Sequence, residues 1–499
     1  MEASAGHPQP AAPNRPSGLR HAVQAKTHPP KGRGTMIFAV ETITHNIFLH
    51  GLTLLCMFLV RGGYVVTMDD RLTVLRDGCV VVDEDRIVDV GEYEDLKKKY
   101  RGCEVLGDRW KVVVPGLANC HYHSREQLAQ TLFPDGLGEV EWFSRYCLPY
   151  HQLLKPEDEK LAFTLALYSM SLNGVTTFAD GGLLYPSTTL KALETIPLRC
   201  YVTTWCWDVS ETIKKTTDQA LTELKKLFQE FDGKMNGLVR VCAAPISIET
   251  CSEKLLEEVF HWAREKRLKT YIHTASFLED FEKSIKIRGM TPVEYLAGKK
   301  LLNHDTNLLH AIHLTERDVE LVAGSGAAAV CCPMSSLIKG KGLAVRGKYP
   351  EMLRKGVRVG LGADGAPSTH HTDMLRLSSL FAGLFRDSRM DAKAVSAVDA
   401  LKSVTTTAAS VVGLENLTGS LEKGRKADIV LLDMRRPAFT PTANILNSLV
   451  FSATGDTVDT VIVDGRVVVA NRKVVGLDYE KTYEQAEKTV ERLRTELNI

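Results

Sequence analysis

Short apolar runs alternate with helical stretches through the middle of the chain. The runs are Val112 to Val114, Val175 to Ala179, Arg199 to Trp205, Val239 to Ala243, Lys269 to His273, Leu308 to His313, Ala327 to Cys332 and Arg358 to Gly362. Runs of this length read as buried parallel strands. Helical stretches lie between them, such as Glu157 to Leu172, Asp218 to Phe231, Glu253 to Lys266 and Glu316 to Gly324. Repeated βα units imply an α/β fold, read here as a (β/α)8 TIM-like barrel, although the pattern alone also admits a doubly wound sheet.

The flanks differ. Phe58 to Val60, Tyr64 to Thr67, Gly78 to Asp83 and Arg86 to Val90 read as short strands broken by Gly and Asp, and Ala427 to Leu432, Thr457 to Val463 and Arg466 to Ala470 mirror them. The two groups are expected to pair into one small β-sandwich domain. The tail from Tyr479 to Ile499 reads as a helix whose stripe of Tyr483, Ala486, Val490, Leu493 and Leu497 packs on the body. The expected division is a disordered extension at 1–56, β domain at 57–114, barrel at 115–418, β domain again at 419–476, and a terminal helix at 477–499.

Composition narrows the class. Of 499 residues, 44% are hydrophobic and 25% charged, as in ordinary globular proteins. A net charge of +1 argues against a nucleic-acid footprint. The eleven cysteines contain no C-x-x-C, and Cys331 and Cys332 are adjacent, which suits reduced thiols in a cytoplasmic protein. Residues 1 to about 40 are rich in Pro, Gly, Ala, His and basic residues without periodicity. The stretch Ile47 to Val60, interrupted by His50 and Gly51, is too short for a membrane span, and Met57 reads as an alternative start. These features leave a small-molecule partner, with no nucleic acid and no membrane, and leave a homo-oligomer open.

The candidate chemistry begins where Val112-Val113-Val114-Pro115-Gly116 leads into His121-Tyr122-His123. Residues i and i+2 of an extended chain face one side, so both imidazoles can converge on one ion. The spacing alone is common; its position after the first strand gives it weight, because barrel active sites lie at the C-terminal strand ends. His273 ends the fifth run, His310 lies in the sixth with His313 as competitor, and Asp364 follows the eighth. Such a set around a divalent metal would activate water near neutral pH. Nitrogen and oxygen ligands with an open position suit zinc, with iron or manganese as alternatives.

The segment Val114-Pro115-Gly116-Leu117-Ala118-Asn119-Cys120-His121-Tyr122-His123 resembles the opening metal motif of the amidohydrolase superfamily, in its branch of chlorohydrolases and of aminohydrolases of triazines and nucleosides. Gly174 to Asp180, Gly360 to Gly365, Gly419 to Asp428 and Val461 to Gly465 are similar to later segments of that branch. The resemblance implies that His121, His123, His273 and Asp364 hold one divalent ion. It implies that Asp364 takes a proton from the attacking water and that His310 orients or polarises water or substrate. Branches with two metals use a lysine on the fourth strand, which Val239 to Pro245 lacks, so one ion is expected.

The chain departs from the branch at three places. Deaminating members carry glutamate three residues after the strand-five histidine, where Ser276 stands here; Glu279 and Glu282 follow. Ile246 replaces a histidine common in nucleoside-type relatives, and Cys331-Cys332 replaces histidine and asparagine. Arg125, Glu141, Trp142 and His370 are the candidate substrate contacts, with Glu126, Arg145 and His371 nearby; Arg125 suits a carboxylate. The expected activity is hydrolysis of a non-peptide C–N bond in an amidine, cyclic amide or aminated heterocycle, with Asp364, His310 and Ser276 as catalytic residues. Displacement of halide at the same site is the alternative, since it demands less proton delivery. A non-catalytic metal-binding sensor is the rival from another class.

Overall fold

The computed structural model describes residues 57–138, 141–209 and 214–499. The expectations for residues 1–56 lie outside them. Both flanks of the chain enter one eight-stranded sheet. From the N-terminal side come β1 (Phe58–Val66), β2 (Val74–Asp83), β3 (Arg86–Glu92) and β4 (Glu104–Pro115). From the other end come β14 (Ile429–Asp433), β15 (Val458–Val463), β16 (Arg466–Ala470) and β17 (Lys473–Val474). The order is β17-β16-β15-β14-β4-β1-β2-β3, so β4 joins the flanks. It runs parallel to β1 and antiparallel to β14, with Val113 opposite Val65 on one side and Leu431 on the other.

This corrects the reading of Val112 to Val114 as the first of the parallel strands, although the division at 114 sets the same run in the β domain. The run is a strand, but it belongs to the flanking sheet, not to the parallel series. An apolar triplet marks burial without specifying which sheet buries it. The chain passes to the next sheet through Gly116, where an added Cβ would lie 2.1 Å from Thr176 Oγ1. Only glycine lets the backbone approach so closely.

The parallel series starts at β5 (Leu117–His123) and continues with β6 (Val175–Asp180), β7 (Arg199–Val202) and β8 (Val239–Val241). It resumes with β9 (Thr270–Thr274), β10 (Thr306–His310), β11 (Ala328–Cys331) and β12 (Val359–Leu361). The short β13 (Asp364–Gly365) follows β12 closely and pairs with β5, Asp364 opposite Tyr122 and Gly365 opposite His123. At the other junction, Ala243 bridges Thr270 and Ser247 bridges His273. The strands are almost wholly buried, as expected where helices cover a parallel sheet.

Local signals set the helix boundaries. Thr216 caps Thr217–Phe231 in a reciprocal box with Gln219, and Ser252 caps Glu253–Lys266. The tail helix, Tyr479–Leu497, buries Ala486 and Leu493 against Leu128, Tyr150 and Ala162. Arg492 pairs with Asp158 at 2.6 Å on the same face. Tyr483, assigned to the packed stripe from sequence, is 50% exposed, and Thr482 beside it takes the buried place in that turn. The ten cysteines among the described residues are free thiols, all buried except Cys103, which is partly so. No helix among the described residues is long and apolar enough to cross a membrane.

Candidate active site

Five side chains meet at the C-terminal ends of the parallel strands. His121 and His123 sit at the end of β5, His273 near the end of β9, His310 at the end of β10 and Asp364 at the start of β13. Asp364 Oδ1 lies 3.6 Å from His121 Nε2 and 3.5 Å from His123 Nε2, and Oδ2 lies 3.7 Å from His310 Nε2. The His121 and His273 ring centroids are 5.1 Å apart. Candidate ligand atoms of His121, His123 and His273 lie within 4.8 Å of one another, as do those of His121, His310 and Asp364. His310 therefore shares the cluster with the four residues assigned to the metal.

Neighbouring groups aim these side chains. The His273 Nδ1–H donates to the Ile246 carbonyl at 3.0 Å, which turns Nε2 away from that carbonyl. Asn119 Oδ1 accepts from the Ala363 N–H at 3.0 Å and ties β5 to the strand that carries Asp364. The Ser335 hydroxyl donates to Asp364 Oδ2 at 2.5 Å, and the Tyr349 hydroxyl donates to the His310 carbonyl. His310 and Asp364 have φ of 65° and 72°. Non-glycine residues take that conformation at a cost of about 1–3 kcal/mol, and such strain gathers at functional sites.

Burial pushes the His121 imidazole down to about 3 and holds His310 well below its usual range, so both rings are neutral. For Asp364 burial acts the other way, but the Lys341 ammonium, first among the opposing causes, helps hold the carboxyl well below its ordinary value. Neutral imidazoles and a carboxylate form the donor set that a divalent ion takes. His121 Nε2 is buried and has no hydrogen-bond partner among the described residues, an arrangement a metal ion would satisfy.

Gly181 supports this arrangement from the loop after β6. A Cβ there would lie 2.3 Å from His123 Nδ1. Gly181→Ala should displace the ring and weaken metal retention by roughly 10- to 100-fold, the range seen when a supporting contact is lost. Chelator competition measures this; unchanged retention would mean that the loop yields instead of the ring.

A pocket of about 420 Å³ opens beside the cluster. His123, His273, His310 and Asp364 line it, together with Ser276, Trp142 and Ile246. Other residues assigned from sequence lie elsewhere. Glu141 is exposed and pairs with Arg145 at 3.2 Å, and His370 is exposed; neither lines this pocket. Arg125 is fully buried, with its guanidinium 3.6 Å from the ring centroid of Trp205, and does not line the pocket although Trp205 does. Glu279 and Glu282 point to solvent.

Sequence reasoning missed several lining residues. Phe143, Trp205, Trp207 and Phe277 form aromatic walls, and Glu249 and Asp280 add carboxyl groups. Glu126, noted only as a neighbour of the histidine pair, also lines the pocket; its carboxyl is pushed up to about 8 by burial, and Oε1 lies 3.3 Å from His151 Nε2. Lys341 is 6% exposed, with Nζ 3.5 Å from Asp364 Oδ2. His313, the competitor to His310, donates from Nε2 to the Lys341 carbonyl at 3.0 Å. The one sequence signal for Lys341 was its place between Gly340 and Gly342 after the seventh strand.

A parallel α/β fold with imidazoles and a carboxylate at its C-terminal strand ends defines a class of hydrolase, and comparison with known proteins agrees. The amidohydrolase family matches residues 112–468, and an imidazolonepropionase-like composite domain matches residues 78–102. The chain is 30% identical to a 5-methylthioadenosine/S-adenosylhomocysteine deaminase of Pelotomaculum thermopropionicum, over 87% of this chain and 98% of that protein. It is 31% identical to a 5′-deoxyadenosine deaminase of Methanosarcina acetivorans, over 88% and 99%. Among solved structures it resembles a zinc-bound adenosine deaminase from Xanthomonas campestris, with TM-score 0.84, 24% identity and coverage of 88% and 99%. An atrazine chlorohydrolase from Arthrobacter aurescens complexed with zinc gives TM-score 0.80 at 22% identity, over 87% and 100%.

The chain belongs to the amidohydrolase family. It is a hydrolase acting on carbon–nitrogen bonds other than peptide bonds.

Proposed function

We propose that this protein is a zinc-dependent hydrolase that removes the amino group of a purine nucleoside-like heterocycle. The observation that carries the reading is the approach of Asp364 to His121, His123 and His310 within 3.5–3.7 Å at the floor of an aromatic-walled pocket. His121, His123, His273 and Asp364 would hold one ion. A divalent ion bound there supplies Lewis acidity, which makes water a nucleophile near neutral pH.

The protein's own groups do the rest. Asp364, ionised and hydrogen-bonded by Ser335, accepts a proton from the attacking water. His310 orients that water or the substrate. Ser276 faces the pocket as a hydrogen-bonding group. Trp142 and the aromatic walls would hold a flat ring, and the relatives' purine nucleoside substrates suggest which ring. We also infer that the parallel strands close into an eight-stranded barrel, since β13 pairs with β5 and bridges tie the β8 end to β9. Domain limits of 57–114 with 419–476, and 115–418, fit that reading.

A second reading, halide displacement at the same site, draws on Ser276 standing where deaminases carry glutamate and on the fold likeness to a chlorohydrolase. One assay separates the two. Zinc-loaded protein is supplied with 5′-deoxyadenosine, 5′-methylthioadenosine, chlorinated purines and triazines, while ammonia and halide are followed together. Ammonia release, lost on chelation and restored by zinc, is expected. Halide release alone would replace this reading with the second one, and activity indifferent to chelation would remove the metal from both.

A further inference from the structure

Ser276 cannot deliver a proton as a carboxylic acid does. Glu279 and Glu282, the next acids along the chain, point to solvent. Asp280 reaches the pocket, but its Oδ2 accepts the Phe277 N–H at 3.2 Å as a helix cap. Among the described residues, Lys341 is the lysine that lines this space. Its backbone is held on two sides, the N–H donating to the Ser336 carbonyl at 2.9 Å and the carbonyl accepting from His313. Gly340 and Gly342, with φ of 62° and 79°, make the turns that present it. The ammonium sits 3.5 Å from Asp364 Oδ2 and 4.9 Å from the centroid of the Phe277 ring. It therefore lies beside the carboxylate that takes the water's proton.

We propose that Lys341 is a catalytic residue: its ammonium donates a hydrogen bond to the ring nitrogen next to the scissile carbon and holds the electron pair displaced onto that atom when water adds. The assignment rests on the heterocycle reading above. The water oxygen bonds to the ring carbon, its proton passes to Asp364, and the C=N π pair moves to the nitrogen facing Lys341. Re-formation of C=N expels the leaving group with its bonding pair. An amine leaves as ammonia by taking the proton from Asp364; a halide leaves as the anion, and the proton on Asp364 passes to solvent. Lys341 keeps its proton throughout, so the step needs no acid at position 276.

The test compares zinc-loaded wild type with Lys341→Met on adenosine and on 2-fluoroadenosine, whose electron-withdrawing substituent already stabilises charge on the ring. Removing one preorganised donor should lower kcat on adenosine by about 10²- to 10³-fold, with KM nearly unchanged. The penalty should shrink on the fluorinated ring, and Lys341→Arg should recover part of the rate. Zinc content and melting temperature should match wild type; if Lys341→Met does not fold, Lys341→Gln is read by the same rates. Equal penalties on both rings, a kcat within about fivefold of wild type, or zinc loss accounting for the whole decline would overturn the assignment. So would Glu126→Gln abolishing ammonia release while Lys341→Met keeps it. A wild type that hydrolyses no aminated or chlorinated purine, pyrimidine or triazine overturns the heterocycle reading, and this assignment with it. An active wild type with an unaffected Lys341 variant overturns this assignment alone.

Discussion

Asp364→Asn should lower kcat by about 10⁴-fold, because one substitution removes both a candidate metal ligand and the proposed acceptor of the water's proton. The amide nearly preserves shape, so packing and the Ser335 contact change little. Charge changes most. Asp364 sits within 3.7 Å of His121, His123, His310 and Lys341, and its negative charge balances whatever cation shares that space. The measurement is steady-state turnover alongside zinc content. A variant that keeps its zinc but loses turnover isolates the proton-accepting role, and one that loses both assigns Asp364 to the ligand set. Turnover within tenfold of wild type would refute either role.

Asp428→Ala should be the most damaging change for stability away from the site. Arg199, on β7, meets Asp428 and Asp464 at 3.1 Å, with side-chain exposures of 3%, 1% and 6%. Asp428 also accepts the Asp464 N–H at 2.9 Å beside the flanking strands, and its pairing with Arg199 joins that sheet to the parallel series. Truncating one partner of a buried ion pair costs up to about 3–5 kcal/mol, and here Asp464 still faces the guanidinium and offsets part of that loss. Denaturant unfolding should show the free energy of unfolding fall towards that amount, with Asp428→Asn losing less because it can still hydrogen-bond. A loss below about 1 kcal/mol would mean that Asp464 and relaxation of the cluster suffice to hold the guanidinium.

The strand ends show what the linear chain revealed about the site. His121 and His123 were legible because period-two alternation places them on one side of a strand. His273 ends an apolar run, His310 lies within one and Asp364 follows one, and that position told them from other polar residues in apolar surroundings. Ser276 could be read as a departure by its spacing from His273. Glu141, His370 and Arg125 show the limit. Each lies close in sequence to the site, yet Glu141 and His370 face solvent and Arg125 stacks on Trp205. The direction of a side chain on an irregular segment depends on what packs around it, and no periodicity encodes that.

By itself the sequence determined the alternating α/β middle, the β-rich flanks, the amphipathic tail and the resemblance to amidohydrolases, because all of these rest on local periodicity or contiguous motifs. Tertiary structure decided that Val112 to Val114 belongs to the flanking sheet and that both flanks join through β4 and β14. It also decided that Lys341, Trp205 and Asp280 face the same pocket as the histidines. The physical reason is common to all three. Strand partnership and pocket membership are contacts between residues distant along the chain, and the free energy that selects them comes from burying those surfaces together.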